Sequence, residues 1–373
     1  MPRFYFDHNA TTPVSPEVLE AFRGALAEVY GNASSIHHYG QEAKRLLETA
    51  RREVAELLGC DAAEIVLLSG GTEADNLAVL GAVRASPKTP KHVVTTAIEH
   101  PAVLNACAQL EREGVAVSYV PPGADGVVDP DDVRRALRPE TVLVSVMHAN
   151  NETGSLQPVA EVARQAGVPV HSDGVQAAGR VPVDVRALGV DLYSISGHKF
   201  YAPKGAGALY VREGVKLAPL LYGGHHERDR RAGTENVPGA AALGRAARWA
   251  RENLAEESIR LAALRDRLER GILARVPGSA VNGTLRTPNT SNMRFEGVDG
   301  EAMLIALDLR GFAVSSGAAC SSGAVEPSHV LTAMGLGREQ ARSCLRFSLG
   351  VDLYSISGHK FYAPKGAGAL YVR

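Results

Sequence analysis

The sequence has four cysteines in 373 residues, Cys60, Cys107, Cys320 and Cys344, and no two of them form a CxxC pair. That argues against a disulfide framework and against a metal site built on cysteine, so no metal is expected. No stretch is apolar enough to span a bilayer, and the start, MPRFYFDHNATT, lacks the long apolar core of a signal peptide. Neither sign of charge dominates: 40 basic residues face 41 acidic ones, which offers no basic surface for nucleic acid or membrane. These absences together point to a protein of the reducing cytoplasm.

What is present is ordinary globular composition, 45% hydrophobic and 22% charged. The length exceeds what one hydrophobic core usually serves, so two domains are expected. Ser15-Pro16 reads as cap and first residue of a helix reaching about Val29. Apolar residues at helical spacing predict a second helix over Tyr39–Leu58. Short apolar runs follow at Ile65–Leu68, His92–Thr96, Val115–Val120, Val142–Met147, Val168–His171, Leu192–Ile195 and Ala206–Val211. Amphipathic stretches such as Pro101–Glu113 and Val159–Ala166 lie between them. Strands alternating with helices predict an α/β domain with a mainly parallel sheet. A long charged helix over about Ala240–Val276, strands at Ser291–Phe295 and Leu345–Leu349, and a helix at Glu301–Arg310 predict a smaller α+β domain.

The 25 residues from Leu188 to Arg212 recur letter for letter from Leu349 to Arg373. Two distant, identical copies are not a solenoid, which needs several similar units in tandem. The second copy reads as a duplicated segment spliced after RFSLG.

Chemistry-bearing residues gather where strands end. In SGHK, Lys199 follows a strand, and ligands of open α/β sheets bind at the strands' carboxyl ends. With Ser196 and His198 beside it for phosphate, its amine suits a Schiff base to a phosphorylated aldehyde, although a lone lysine is more often a solvated surface group. In VHSDGVQ, Asp173 can pair with a pyridine nitrogen and Gln176 with a ring hydroxyl; a turn or cap is the commoner use of such an Asp. In LLSGGTEADN, Gly70, Gly71 and Thr72 open a helix whose amides can hold phosphate, though no P-loop is present. His100, before a Pro-initiated helix, can stack on a ring and shuttle protons, or merely cap that helix. Asn150 and Asn151 in MHANNETG face the same end, or form a plain turn. Cys320 lies in the small-residue loop SSGAACSSG, which suits a mobile nucleophile, while Cys60, Cys107 and Cys344 read as core. Arg346 is a candidate for binding a carboxylate in two-point fashion, or a surface strand arginine.

The order of these motifs resembles the pyridoxal-phosphate-dependent cysteine desulfurases of the NifS/IscS type, within the class V aminotransferase group. The resemblance runs from about Phe4 to Gly350. It rests on DHNATTP, GNASSIHHYG (the family often has Pro where Ala33 stands), SGGTEADN, EHPAVL, MHANNETG, SGHKFYAPKGAGALYV, RAGTENV, SSGAACSSG, EPSHVLTAMGL and LRFSLG. It implies an α/β fold-type I PLP-dependent transferase, whose large domain has a mainly parallel sheet. A smaller α+β domain takes in the N-terminal strip. The expected division is 16–255 for the large domain, 1–15 with 256–350 for the small one, and 351–373 as a loosely packed copy of 190–212.

The resemblance further implies conversion of L-cysteine to L-alanine, with the sulfur taken as a persulfide and passed to an acceptor protein for iron–sulfur cluster, thio-cofactor or tRNA biosynthesis. It implies pyridoxal 5'-phosphate as cofactor and a homodimer in which Thr234 reaches the partner's cofactor phosphate. Lys199 would carry the Schiff base, Asp173 the pyridine nitrogen, Gln176 the ring hydroxyl, and His100 the ring face. Thr72, Gly71, Ser196 and His198 would bind phosphate, Asn151 and Arg346 the substrate carboxylate, and Cys320 the sulfur. A selenocysteine lyase, another class V aminotransferase, or a scaffold left inactive by its altered end are the alternatives. The sequence departs from the family after RFSLG, where a final helix is normal and the copied segment stands instead.

Overall fold

The computed structural model describes residues 3–316 and 327–350. The N-terminal strip holds β1 (Phe4–Tyr5), then α1 (Pro16–Glu28) and α2 (His38–Leu58). The alternating region follows: β2 (Ile65–Leu68), α3 (Gly71–Ala85), β3 (His92–Thr96), α4 (Pro101–Arg112), β4 (Ala116–Val120), α5 (Pro130–Ala136), β5 (Thr141–Ser145), α6 (Val159–Ala166), β6 (Val170–Asp173), α7 (Val185–Leu188), β7 (Leu192–Ser196) and β8 (Gly207–Val211). The last part contains α8 (Val237–Leu273), β9 (Ser279–Asn282), β10 (Thr290–Phe295), α9 (Gly300–Leu309), β11 (Phe312–Ala313), α10 (His329–Ala333), α11 (Arg338–Arg342) and β12 (Cys344–Ser348).

One seven-stranded sheet runs in the order β2-β8-β7-β6-β5-β3-β4. Its strands from β4 to β7 are parallel, and only β8 and the edge strand β2 are antiparallel to their neighbours. Parallel strands are buried on both faces, which is why β3, β5, β6 and β7 are fully buried along their length. Tyr193, Tyr210, Ile65 and Leu192 lie fully inside, each such side chain contributing roughly 1.5–3 kcal/mol. A second sheet, β12-β10-β9, is antiparallel, and the N-terminal strip joins its side of the molecule: β1 pairs with β11, and Asp7 bridges to Ser348.

The boundary expected near 255 falls inside α8, a continuous helix of 37 residues. α8 begins at Val237 rather than 240 because the Asn236 side chain accepts from the Gly239 amide, with Pro238 in the first turn. It packs on α1 and α2 near its start and on β9 and β10 further along, so one helix serves both sheets. The strand expected at 168–171 is β6 at 170–173. Pro169 has no N–H to pair, and only its carbonyl joins the ladder, accepting from the Val144 amide at 3.0 Å. That shift seats Asp173 as the last strand residue. Among the described residues no helix is long and apolar enough to cross a membrane.

Candidate active site

The sheet places its candidate residues at the carboxyl ends of β3, β5, β6 and β7. Asp173 ends β6 and Ser196 ends β7; Lys199 follows within a short turn. Ser196 is 2% exposed and packs against the start of α3, where a Cβ on Gly71 would lie 3.4 Å from the Ser196 Cβ and 2.7 Å from Val175 Cγ2. Only glycine permits that approach. Gly70 caps α3 without any side-chain acceptor, so the first amides of the helix stay open toward an anion. Thr72 is exposed in that first turn.

Lys199 Nζ donates to the carbonyl oxygens of Asn9 at 2.5 Å and Ala10 at 3.0 Å. Burial, with the nearby charges of Arg346 and Arg180, lowers its pKa to about 8. Asp173 is drawn the opposite way: burial raises its pKa, while His100 and Lys199 pull it back down. His100 does cap α4, accepting from the Ala102 amide through Nδ1 at 3.1 Å. That bond fixes the neutral ring's proton on Nε2. The pKa of this capping side chain is lowered by burial and by Lys199. Gln176 Nε2 donates to the Asn9 carbonyl at 2.9 Å, while its buried Oε1 has no partner. His198 Nδ1 lies 3.1 Å from Thr11 Oγ1, and burial lowers its pKa to about 4.

Arg346 is 4% exposed on β12. It donates to Asp7 Oδ1 at 2.7 Å and to the Asn151 carbonyl at 2.9 Å, and its buried Nε has no partner. Asn151 therefore stands beside Arg346. Asn150 is a turn residue: its Oδ1 accepts from the Glu152 and Thr153 amides and its Nδ2 donates to the Ile98 carbonyl. Thr234 is exposed and lines a cleft beside the Ser69–Gly70 turn, with Gly207 and Arg231.

Cys320 lies outside the described residues. The residues flanking 317–326 are held at the site: Ser315 exchanges backbone hydrogen bonds with Arg346, the Ser328 hydroxyl donates to Glu152, and His329 Nε2 meets the Glu99 carbonyl at 3.0 Å. The other cysteines are poor nucleophiles, since burial pushes Cys60 and Cys107 up to about 12 and Cys344 up to about 11.

Sequence reasoning missed Asn9, Ala10, Asp7, Arg180, Glu99 and Asp75. Asn9 acts through its carbonyl, which no sequence pattern marks. Arg180 is buried and donates to the His8 and Lys199 carbonyls. DHNATT was legible as a motif; its reach to a lysine 190 positions away was not.

An unpartnered buried Gln176 oxygen, an uncapped helix start against Ser196, a buried carboxyl on a strand end and an amine of lowered pKa fit pyridoxal phosphate. Its phosphate would find amides and a hydroxyl, its pyridine nitrogen a carboxylate, its ring hydroxyl an acceptor, and its aldehyde an amine.

A family model described as aminotransferase class-V matches residues 4–351, and again 347–373, a range that takes in the copied segment. A cysteine desulfurase of Gluconacetobacter diazotrophicus is 50% identical over 355 residues, spanning 93% of this chain and 88% of its own. One from Nostoc sp. is 48% identical over 354 residues, 94% of this chain and 88% of that one. The cysteine desulfurase IscS of Dictyoglomus turgidum is 46% identical over 352 residues, 93% and 89% of the two chains. Among solved structures, a NifS-like protein superposes with a TM-score of 0.87 at 38% identity, covering 93% of each chain. SspA, solved in complex with cysteine, superposes at 0.83 and 34% identity, covering 92% of this chain and 98% of its own.

Proposed function

The chain belongs to the class-V aminotransferase family, and from that premise we propose that it is a cysteine desulfurase that moves the sulfur of L-cysteine onto Cys320 and releases L-alanine. The carrying observation is the half-buried Lys199 amine set with Asp173 and His100 at the carboxyl ends of the sheet. Pyridoxal phosphate, when bound, supplies an electron sink for the substrate carbon. The α3 amides, Thr72, Ser196 and His198 would hold its phosphate, Asp173 its pyridine nitrogen and Gln176 its ring hydroxyl.

Arg346 holds the substrate carboxylate, with Asn151 beside it. Asp7 keeps the guanidinium aimed, since the Arg346–Asp7 pair is partly buried. Lys199 Nζ takes the substrate's α-proton; a pKa near 8 leaves a minority of the amine neutral at physiological pH, far more than an unperturbed lysine would have. Cys320, as thiolate, attacks the substrate sulfur. The carbon–sulfur bond breaks, its electron pair stays with the carbon, and a sulfur–sulfur bond forms on the enzyme. Protonation of that carbon, and return of a proton from Lys199 to the α-carbon, gives alanine. The neutral His100 ring, with its proton on Nε2, is placed to move protons during this exchange.

The persulfide sulfur then passes to an acceptor or iron–sulfur scaffold protein in the cytoplasm. A homodimer is supported by a cluster of exposed rings and apolar groups: Tyr30 and Tyr39 stack at 5.2 Å, and Ile36 is 94% exposed. In that dimer Thr234 serves the partner's phosphate site. Incubating the cofactor-loaded protein with L-cysteine tests the reading. Stoichiometric alanine with a persulfide on Cys320 is expected. Alanine without a Cys320 persulfide, or keto acid in its place, would refute it.

A further inference from the structure

The residues assigned so far leave unused a dry polar group behind Asp173. α3 carries Asp75, 1% exposed, in the second turn beyond its open start. His171 lies on β6 two residues before Asp173, so the two project from the same face of the strand. His171 is fully buried. Its Nδ1 lies 2.9 Å from Ser145 Oγ, and its Nε2 lies 2.9 Å from Ser194 Oγ and 3.6 Å from Asp75 Oδ1. Asp75 Oδ1 has no hydrogen-bond partner, and Glu99, the third carboxyl of the group, keeps an unpartnered Oε2.

Groups that favour an anion reach this cluster at Asp173. His100 and Lys199 act on Asp173. Asp75 instead faces the Ser194 hydroxyl, Asp173 and Glu99, and burial together with the two carboxyls raises its pKa well above the usual carboxylate range. Cys107 of α4 faces Glu99 and stays a neutral thiol. His171 is no counter-ion either, because burial lowers its pKa to about 3. Two anions side by side in such a site would each lose more by desolvation than their surroundings return.

Resting on the reading that Asp173 holds the cofactor's pyridine nitrogen, we infer that Asp75 is a positioning residue: as the neutral acid it hydrogen-bonds within the His171–Ser145–Ser194 chain and leaves Asp173 as the one anion of the cluster. The neutral acid has a donor as well as an acceptor, so it fits the gap beside the imidazole without the repulsion that a carboxylate there would meet from Asp173 and Glu99. Asparagine reproduces that shape and polarity; leucine reproduces the volume alone.

The full-length protein is loaded with pyridoxal phosphate as wild type, Asp75→Asn and Asp75→Leu, and cofactor affinity and the pH midpoint of the visible band are measured. Asp75→Asn is expected to match wild type in both. Asp75→Leu is expected to bind the cofactor about tenfold more weakly and to shift the midpoint, the scale of one buried hydrogen bond. Loss in both variants would mean that Asp75 acts as an anion, and retention in both would mean that it does nothing for Asp173; either overturns the inference. Failure of the wild type to bind the cofactor would instead strike the functional reading beneath it. Should Asp75→Leu not fold, the infrared difference between cofactor-free wild type and Asp75→Asn decides. A protonated-carboxyl band is expected, and carboxylate bands alone would overturn the inference.

Discussion

The ammonium of Lys199 is held by the carbonyl oxygen of Asn9, 2.5 Å away and 190 positions earlier in the chain. The same carbonyl accepts from Gln176 Nε2 at 2.9 Å. The N-terminal strip is therefore a wall of the site, tied to the smaller sheet through β1 and the Asp7–Ser348 bridge. Two acceptors hold the amine, yet burial and two nearby arginines still bring its pKa down to about 8.

Capture of the cofactor by the cofactor-free protein is expected to follow that value. Only the neutral amine attacks an aldehyde, so the second-order rate should climb as pH rises toward about 8 and level off beyond it. Stopped-flow mixing with pyridoxal phosphate at a series of pH values measures this. A rate still climbing with pH near 10 would mean that the site does not depress the amine.

The three described cysteines should be silent in sulfur transfer. Their thiols stay protonated at neutral pH, with pKa values pushed up to about 12, 12 and 11. After brief exposure to L-cysteine, mass spectrometry should find added sulfur on Cys320 alone. Cys320→Ala should keep the bound cofactor's visible band and lose alanine formation by at least about a hundredfold, as expected for a covalent nucleophile. Added sulfur on Cys60, Cys107 or Cys344 in its place would reverse the assignment.

Arg346 offers a split between substrate and cofactor. Lysine keeps the charge but loses the two-point fork, so Arg346→Lys should raise KM for L-cysteine about tenfold or more with the cofactor band unchanged. Because Arg346 also holds Asp7 and the Asn151 carbonyl, Arg346→Ala should additionally lower the melting temperature. A Lys variant with normal KM would remove the carboxylate role.

Glu99 gives a stability prediction with a defined sign. Burial raises its pKa to about 8, while its Oε1 accepts from Thr96 Oγ1 and the Met147 amide. Between an unfolded value near 4.3 and about 8, the folded state holds a proton that the unfolded chain has released. Its contribution is complete below that window and is lost as pH rises through it. Glu99→Gln copies the protonated acid and does not titrate. Its stability relative to wild type should therefore improve with pH across this window, by up to ~1.4 kcal/mol per unit. Denaturant unfolding at several pH values checks it, and a pH-independent difference would contradict it.

The alternation of strands and helices was legible because parallel strands are continuous apolar runs and their covering helices are amphipathic. His92–Thr96 and Val159–Ala166 were read to the residue. β9 was not legible: Ser279–Asn282 is four residues between glycines, and it is a strand because β10 offers an edge. Side chains that act at strand ends were legible as motifs. Groups that act through the backbone, such as Asn9, or through burial, such as Asp75 and Arg180, were not, because tertiary structure creates their roles.

Lys199 and Lys360 stand in identical local sequence, so context must decide between them. In the first copy, Leu192–Ser196 is hydrogen-bonded on both sides, parallel to β6 and antiparallel to β8. Gly207–Val211, from the same copy, is likewise paired on both sides, by β7 and β2. The slot next to Asp173 is therefore filled, and the open edges of that sheet are β2 and β4, neither of which adjoins β6. The second copy, from 351 onward, lies outside the described residues, and its glycine, proline and β-prone residues make a poor substitute for a helix. Lys199→Ala should fold and lose the visible band of the bound cofactor, because among the described residues Lys199 is the one lysine that acts on Asp173. Lys360→Ala, and a chain ending at Gly350, should keep that band and their alanine formation. Loss of the band in Lys360→Ala, or its survival in Lys199→Ala, would mean that the second copy displaces the first from the sheet.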